Sequence, residues 1–428
     1  MGRFMICDCG STIASNKPSR VKCGKCGRES WFDGGPAEPS VAVPREMQVP
    51  AVMAPGDALA KVIAGYGYPP PEGCQCDERR AEMNRLGMVG CVVQREAIIG
   101  WLVDAAAQSG WGGWLARRFA PAKVHRMAAD MVDEALELAG YVRSDRVALI
   151  MTHWNPAGFR RPGQTLRESL GYLRRPAQVM EVVYEDRYAE ILGSTVIPAG
   201  PRSVLWQKER LINRAVERLP PSVWWVAWVD HDLVWESDQW VEAAVRMLRG
   251  GMDCVQLFSQ IKYLSRDGQS ITQTGTSATA ARAAGGVPNA APGGAWMASR
   301  RWFDSIGGLY DRNVCGGGDA TFFDAVTASR SGYLNRQAPQ LRLDSIEYCQ
   351  RVGGARWGCL PCSVQHLWHG ERDHRQYHSR DQILSRGGFC PRRHVRVNSH
   401  GLLEWTTRAD LMMRSEVWGY FVNRREDG

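Results

Sequence analysis

The larger part of this chain predicts an α/β fold with a largely parallel sheet, and three observations carry that expectation. From Arg146 onward, short apolar runs such as "RVALIMTHW", "AQVMEVVYE", "GSTVIPA", "VWWVAWVD" and "MDCVQLFS" alternate with helical patterns, the rhythm of strands joined by helices. The richest run, "VWWVAWVDHDLVWESDQW" from Val223 to Trp240, is broken by Asp230, His231 and Asp232, and ligands of such sheets sit beyond the carboxyl ends of the strands. Glycine pairs and triplets at Gly293-Gly294 and Gly316-Gly317-Gly318 then mark places where backbone can approach a ligand closely.

Length and composition frame the rest. The 428 residues suggest two or three domains, and 44% hydrophobic with 23% charged residues is the balance of a globular protein. The formal net charge of +8 suits an anionic ligand such as a nucleotide diphosphate or nucleic acid. No run reaches the roughly 18 apolar residues of a membrane helix, so no membrane partner is expected. The opening "MGRFMICDCG" lacks the pattern of a signal peptide. Cytoplasmic residence is the resulting expectation, with the thirteen cysteines read as thiols or metal ligands.

Four segments follow in chain order. Residues 1–33 form a zinc-ribbon-like segment, in which Cys7, Cys9, Cys23 and Cys26 come as two close pairs beside glycines. That is the pattern of a tetrahedral structural Zn2+ site. Residues 34–56, rich in Pro and Ala, read as a linker. Residues 57–142 read as a small helical domain, with Ile98, Ile99, Leu102 and Ala106 at helical spacing and Cys74, Cys76 and Cys91 as partial ligands of a second metal site or plain core thiols. Residues 143–428 are the α/β domain. Within it Ser265–Gly294, polar and glycine-rich, is expected to be a long mobile loop bordering a site.

Chemistry concentrates at four places in that domain. Asp230 and Asp232, in D-x-D spacing at a strand end, can share a divalent cation with the oxygens of a diphosphate; His231 between them is expected to point the other way, as side chains alternate on an extended segment. Before them, "VLWQKERLINRAVERL" carries an apolar stripe onto which Lys208 falls, so its ammonium needs a phosphate, an acidic partner or a route to water. Asn213 lies off that stripe. After the triplet of glycines, Asp319 opens a helix, as its N-terminal cap or as a carboxylate presented to a site. In "SVQHLWHGERDHRQYHSRDQIL", His366 and His369 are candidates for a third ligand of the D-x-D cation, while His374 and His378 stand four apart.

Taken in this order, the segments "VALIMTHWNP", "KERLINRAVERLP", "WVAWVDHDLVW", "GGAWMASRRWFDSIGGLYD", "GGGD" and "HLWHG" resemble a nucleotide-sugar glycosyltransferase of the GT-A fold over about Arg146 to Trp405. The resemblance implies a GT-A-like, Rossmann-like sheet flanked by helices. It implies Mn2+ or Mg2+ held by Asp230 and Asp232 with His366 or His369, a UDP- or GDP-sugar donor bound near Lys208, Asn213, Asp230 and Gly294, and an inverting reaction with Asp319 as general base. Gly318 stands where the family's motif carries a second acid. With its zinc-ribbon-like start the chain also resembles uncharacterised phage and bacterial proteins, which for a phage protein places it in the host cytoplasm. The acceptor implied is a hydroxyl of a protein, a glycan or a modified DNA base. Two other functions fit parts of the sequence: a zinc-ribbon nucleic-acid-binding protein with a degenerate catalytic domain, and a nucleotidyltransferase, which shares the strand-end carboxylates but leaves the "GGAW" to "GGGD" segment unexplained.

Overall fold

The computed structural model describes residues 3–6, 12–15, 19–22, 29–32, 52–67, 75–108, 121–185, 187–237, 239–286, 290–329, 332–377 and 379–428. Two compact units divide the chain, Met1–Ala42 and Val43–Gly428. In the first, β1 (Arg3–Ile6) pairs antiparallel with β2 (Thr12–Ser15), and β3 (Ser19–Lys22) with β4 (Glu29–Phe32). Cys7, Cys9, Cys23 and Cys26, the expected zinc ligands, lie outside the described residues, as do Cys74 and His378.

The second unit starts with four helices, α1 (Pro55–Gly65), α2 (Cys76–Val93), α3 (Arg95–Gln108) and α4 (Pro121–Leu138). They bury a core of their own that includes Leu59, Met83, Ile98, Ile99, Val132 and Leu136. Cys91 is part of it, its thiol directed at the Met83 carbonyl oxygen 3.3 Å away, so this cysteine serves packing. Among the described residues, no helix by itself is long and apolar enough to cross a membrane.

A seven-stranded sheet organises the remainder. Its strands are β5 (Val147–Trp154), β6 (Ala177–Tyr184), β7 (Thr195–Ala199), β8 (Trp225–Val229), β10 (Cys254–Gln256), β13 (Ala295–Ser299) and β14 (Trp357–Cys359), in the order β14-β10-β13-β8-β5-β6-β7. All neighbouring pairs are parallel except those made by β13, which runs against both β8 and β10. The expected α/β fold with a mostly parallel sheet is therefore present. Helices α5 (Arg161–Tyr172), α6 (Lys208–Glu217) and α7 (Trp240–Arg249) connect the strands.

Strand alternation sorts the side chains onto two cores. Ile150, Val226 and Trp228 face one layer, while Leu149, Met151, Ala227 and Val229 face the other. On the first face Trp228 meets Phe303 and Phe322 edge-on at 5.6 and 5.4 Å. These contacts seat α9 (Arg300–Ser305) and α10 (Gly318–Thr327) against the sheet.

The tryptophan-rich run changes sheets part-way. After β8 the chain turns at Asp230, His231 and Asp232, and β9 (Leu233–Trp235) joins a second sheet ordered β12-β11-β15-β9, with β11 (Gln260–Leu264), β12 (Ile271–Thr276) and β15 (Ser363–His366). Trp235 stacks on Trp240 with ring centroids 4.4 Å apart. The stretch expected as a mobile loop, Ser265–Gly294, instead supplies β12 and α8 (Ala278–Ala283); antiparallel pairing of β12 with β11 and the Ser277 cap on the Ala280 amide hold it. The chain closes with α11 (Tyr333–Arg336), α12 (Pro339–Val352), α13 (Arg380–Arg386), α14 (Pro391–His394), a hairpin of β16 (Val395–Val397) and β17 (Leu403–Trp405), and α15 (Leu411–Val422).

Candidate active site

A cleft of about 910 Å³ opens over the carboxyl end of β8, and Lys208, Asp230, His231, Asp232, Gly294, Asp319, His366 and His369 all line it. Antiparallel pairing of β13 with β8 brings the start of β13 to the end of β8, where the Asp230 amide donates to the Gly294 carbonyl at 2.7 Å. Gly294 has φ of +92°, a conformation open to glycine. Gly293 is needed for space: a Cβ there would stand 2.5 Å from an Asp319 carboxylate oxygen.

One half of the site is an ionic bridge. Lys208, the first residue of α6, is buried, and its Nζ lies 2.5 Å from Asp230 Oδ1 and 2.9 Å from both Asp319 oxygens. Burial by itself would lower the Lys208 ammonium, but the two carboxylates outweigh it and hold its pKa well above the usual range. Of the partners the sequence allowed for Lys208, the structure supplies acidic ones. Burial pushes the Asp230 carboxyl up to about 7; Lys208 opposes the shift, and the charges of Asp319 and Asp232 add to it. Asp319 sits in the first turn of α10, where the helix dipole favours a negative charge.

The other half gathers imidazoles around Asp232. His369 Nε2 is 2.7 Å and His366 Nε2 3.5 Å from Asp232 Oδ2. His231 joins them: a ligating atom from each of His231, Asp232 and His369 lies within 4.8 Å of the other two. The expectation that His231 points away fails because β8 ends at Val229, so residues 230–232 form a turn and strand alternation no longer applies. Burial lowers His231 to about 4 and His366 to about 3, which leaves both neutral and in ligating form at neutral pH. Burial opposes charge on Asp232, yet His366 and the hydrogen-bonded His369 hold its carboxyl well below the usual range.

This donor set fits a divalent cation. His231 Nε2 is buried without a hydrogen-bond partner. His369 Nε2 lies 2.7 Å from Asp232 and 2.9 Å from Arg375 Nη2; it can donate to the carboxylate or accept from the guanidinium, but not both. A cation shared by Asp232 and the imidazole nitrogens satisfies all of them. Mixed carboxylate and imidazole donors suit Mn2+ better than Mg2+. Asp230, the first acid of the D-x-D and expected to share the cation, is instead tied to Lys208 and lies outside that three-residue group.

Sequence reasoning put one residue in the cleft that the structure places elsewhere, and missed several that line it or stand beside it. Asn213, expected near the nucleotide, is buried elsewhere, its amide spent on the Leu309 carbonyl and amide at 2.8 Å each. Glu209, next to Lys208, is buried with Oε1 unpaired, in the space that a Cβ on Gly318 would fill at 2.1 Å. Burial and then the Asp319 charge push its carboxyl up to about 8. Arg375, Arg380 and Arg424 also line the cleft, and Glu426, paired with Arg424 at 2.9 Å, reaches His369 Nδ1 at 3.7 Å. Helical stripes mark Lys208; nothing in the local pattern marks residues 375 or 424–426, which arrive from distant segments.

No family model matches this chain, and no curated protein matches it. Among solved structures, it is similar to the catalytic domain of Drosophila β1,4-galactosyltransferase 7, 14% identical, over 42% of this chain and 60% of that one, with a TM-score of 0.25. It is similar to glucosyl-3-phosphoglycerate synthase from Mycobacterium tuberculosis, solved with Mg2+ and UDP, 14% identical over 58% and 82% of the two chains, TM-score 0.31. A further likeness is to 4-diphosphocytidyl-2C-methyl-D-erythritol synthase from Anaerococcus prevotii, 10% identical over 51% and 90%, TM-score 0.25. The chain thus spans less than two thirds of the galactosyltransferase domain.

Proposed function

We propose that the protein is a metal-dependent glycosyltransferase that moves a sugar from a nucleoside-diphosphate donor to an acceptor hydroxyl. One observation carries the reading: a cation site (Asp232 with His231, His366 and His369) and a carboxylate on a helix N-terminus (Asp319) face one cleft at the carboxyl end of a mostly parallel sheet, with Lys208 between Asp230 and Asp319. When bound, Mn2+ supplies positive charge to the diphosphate leaving group.

The chain's own residues do the remainder. Lys208 offers its ammonium to an entering phosphate, and that competition releases Asp319 from its two 2.9 Å contacts. Asp319, freed, takes the proton of the acceptor hydroxyl as that oxygen attacks the anomeric carbon, which inverts its configuration. The walls contributed by Trp154 and Trp206, whose rings meet edge-on at 4.8 Å, exclude water and offer apolar surface to the nucleoside.

The test is incubation of the full chain with a panel of UDP- and GDP-sugars and Mn2+, with release of nucleoside diphosphate as the readout. One donor is expected to be hydrolysed slowly without acceptor, and Asp232→Asn to lose that turnover by about a hundredfold or more. Absence of both turnover and binding for every common donor overturns the reading.

A further inference from the structure

The cleft carries more positive charge than a nucleotide-sugar with its cation can neutralise. Among the described residues, seven cationic side chains and three carboxylates line it. A nucleoside diphosphate bound with a divalent cation is close to neutral at the diphosphate, so the excess remains. Two of the cations are also unusually placed: Arg375 and Arg380 are each only 8% exposed, and each has an Nε with no hydrogen-bond partner. Neither has a carboxylate within the 4.0 Å of an ion pair among the described residues; Arg375 reaches His369 at 2.9 Å and donates to the Tyr377 hydroxyl at 3.2 Å, while Arg380 bonds the Tyr420 side chain, lies over the Tyr377 ring at 5.2 Å and has the Asp381 carboxylate as its neighbouring acid. A buried guanidinium with unfilled donors is costly.

The two arginines flank Tyr377 and reach different neighbours. Arg375 touches His369 and so belongs to the cation pole. Arg380 belongs to the Asp319 pole: its Nη1 comes within 2.9 Å of where a Cβ on Gly316 would be, in the turn that presents Asp319. The Tyr333 hydroxyl donates to the Gly316 carbonyl at 3.3 Å in the same turn, and Arg336 lies over the Tyr333 ring at 5.4 Å. Arg336 is half exposed and shares only a long 3.4 Å contact with Asp381. A second fork of donors therefore lines the cleft beside the turn that presents Asp319.

We infer that Arg380 and Arg336 form an anion subsite for the acceptor, and that the acceptor carries a phosphoryl group beside the hydroxyl it offers to Asp319. A phosphomonoester brings two charges and matches two guanidiniums bidentately; a neutral glycan leaves the excess of cationic side chains along the cleft unmatched. The inference deepens the glycosyl-transfer reading, which it needs only to call the ligand an acceptor.

The test is calorimetric binding of sn-glycerol 3-phosphate to the full chain with UDP and Mn2+ already saturating, glycerol being the control. The ester is expected to bind alongside UDP, and Arg336→Gln and Arg380→Lys each to weaken it by about tenfold or more, the loss of one charge-assisted hydrogen-bonding pair, without change in UDP affinity. Arg336→Gln keeps the test sound should Arg380→Lys fail to fold. A parallel arm offers vesicles of phosphatidylcholine with and without phosphatidic acid: retention on the acidic vesicles alone, lost in the same variants, assigns the phosphoryl group to a lipid, and binding of the soluble ester assigns it to a soluble acceptor. Binding of neither, displacement of the ester by UDP, unchanged affinity in both variants, or binding of duplex DNA alone overturns the subsite. If the ester binds as expected while no nucleotide or nucleotide-sugar binds, the subsite stands and the glycosyl-transfer reading falls.

Discussion

Glu209 is a buried acid next to Lys208. Its buried carboxyl is raised from the ordinary 4.5 to about 8, and that of Asp230 from 3.8 to about 7. In both, the folded state holds the proton more tightly than the unfolded chain, so their stabilising contribution is complete below the unfolded values and is lost as pH rises through the folded ones. Thermal melts of the metal-free protein between about pH 5 and pH 9 are expected to fall in Tm with rising pH, and Glu209→Gln to flatten the slope, retaining an effect on the order of a few kcal/mol at the alkaline end. An unchanged slope in the variant would mean that the carboxyl is ionised throughout. Gly293 makes the complementary point about space. A methyl group in Gly293→Ala meets the Asp319 carboxylate at 2.5 Å and displaces it; the expected outcome is kcat reduced by about a hundredfold with KM for the donor little changed, checked by steady-state kinetics.

Among the elements, the turn after β8 is the one that concentrates chemistry. It supplies Asp230 to Lys208 and His231 with Asp232 to His369. Mn2+ binding there is expected to raise Tm, by about 2.7 kcal/mol of stability at a hundredfold excess over Kd, and Asp232→Asn to abolish the rise while Asp230→Asn reduces it only in part; a differential scanning measurement with and without chelator decides. Much of this was legible in the sequence. The alternation of strands and helices, the strand-end carboxylates, the inward lysine and the glycine turn before Asp319 all come from local periodicity and turn chemistry. His231 was misread because the strand stops one residue before the D-x-D, a boundary that hydrophobicity does not mark. The polar Ser265–Gly294 stretch does border the cleft as expected, but its strand and helix are not legible because they are held by pairing with β11 and by a serine cap, not by an apolar face. Asn213 was misread because its partner, Leu309, is 96 residues away.

For the molecule as a whole, two kinds of core have to be kept together. The helices α1 to α4 bury one cluster and the central sheet separates two more. Arg249, in the last turn of α7, joins them: it donates to the Glu137 and Tyr141 carbonyls and pairs with the Glu137 carboxylate at 3.1 Å. Burial raises the Glu137 carboxyl despite that partner. Arg249→Ala strands a half-buried acid and two carbonyls, and is expected to cost about 1–3 kcal/mol, seen in urea unfolding as an early transition of the helical layer with donor turnover preserved.

The contacts of Glu426 and Asp427 also have a temporal consequence. Asp427 accepts from the Arg160 and Arg161 amides at the start of α5, a contact 267 residues apart in sequence, and Glu426 leans on His369. Contacts of such separation form late. A chain that has assembled its central sheet without residues 426 and 427 lacks these braces, so the cation pole matures only once they have docked, and truncation at about residue 420 is expected to give a folded sheet with a slack and weakly binding site.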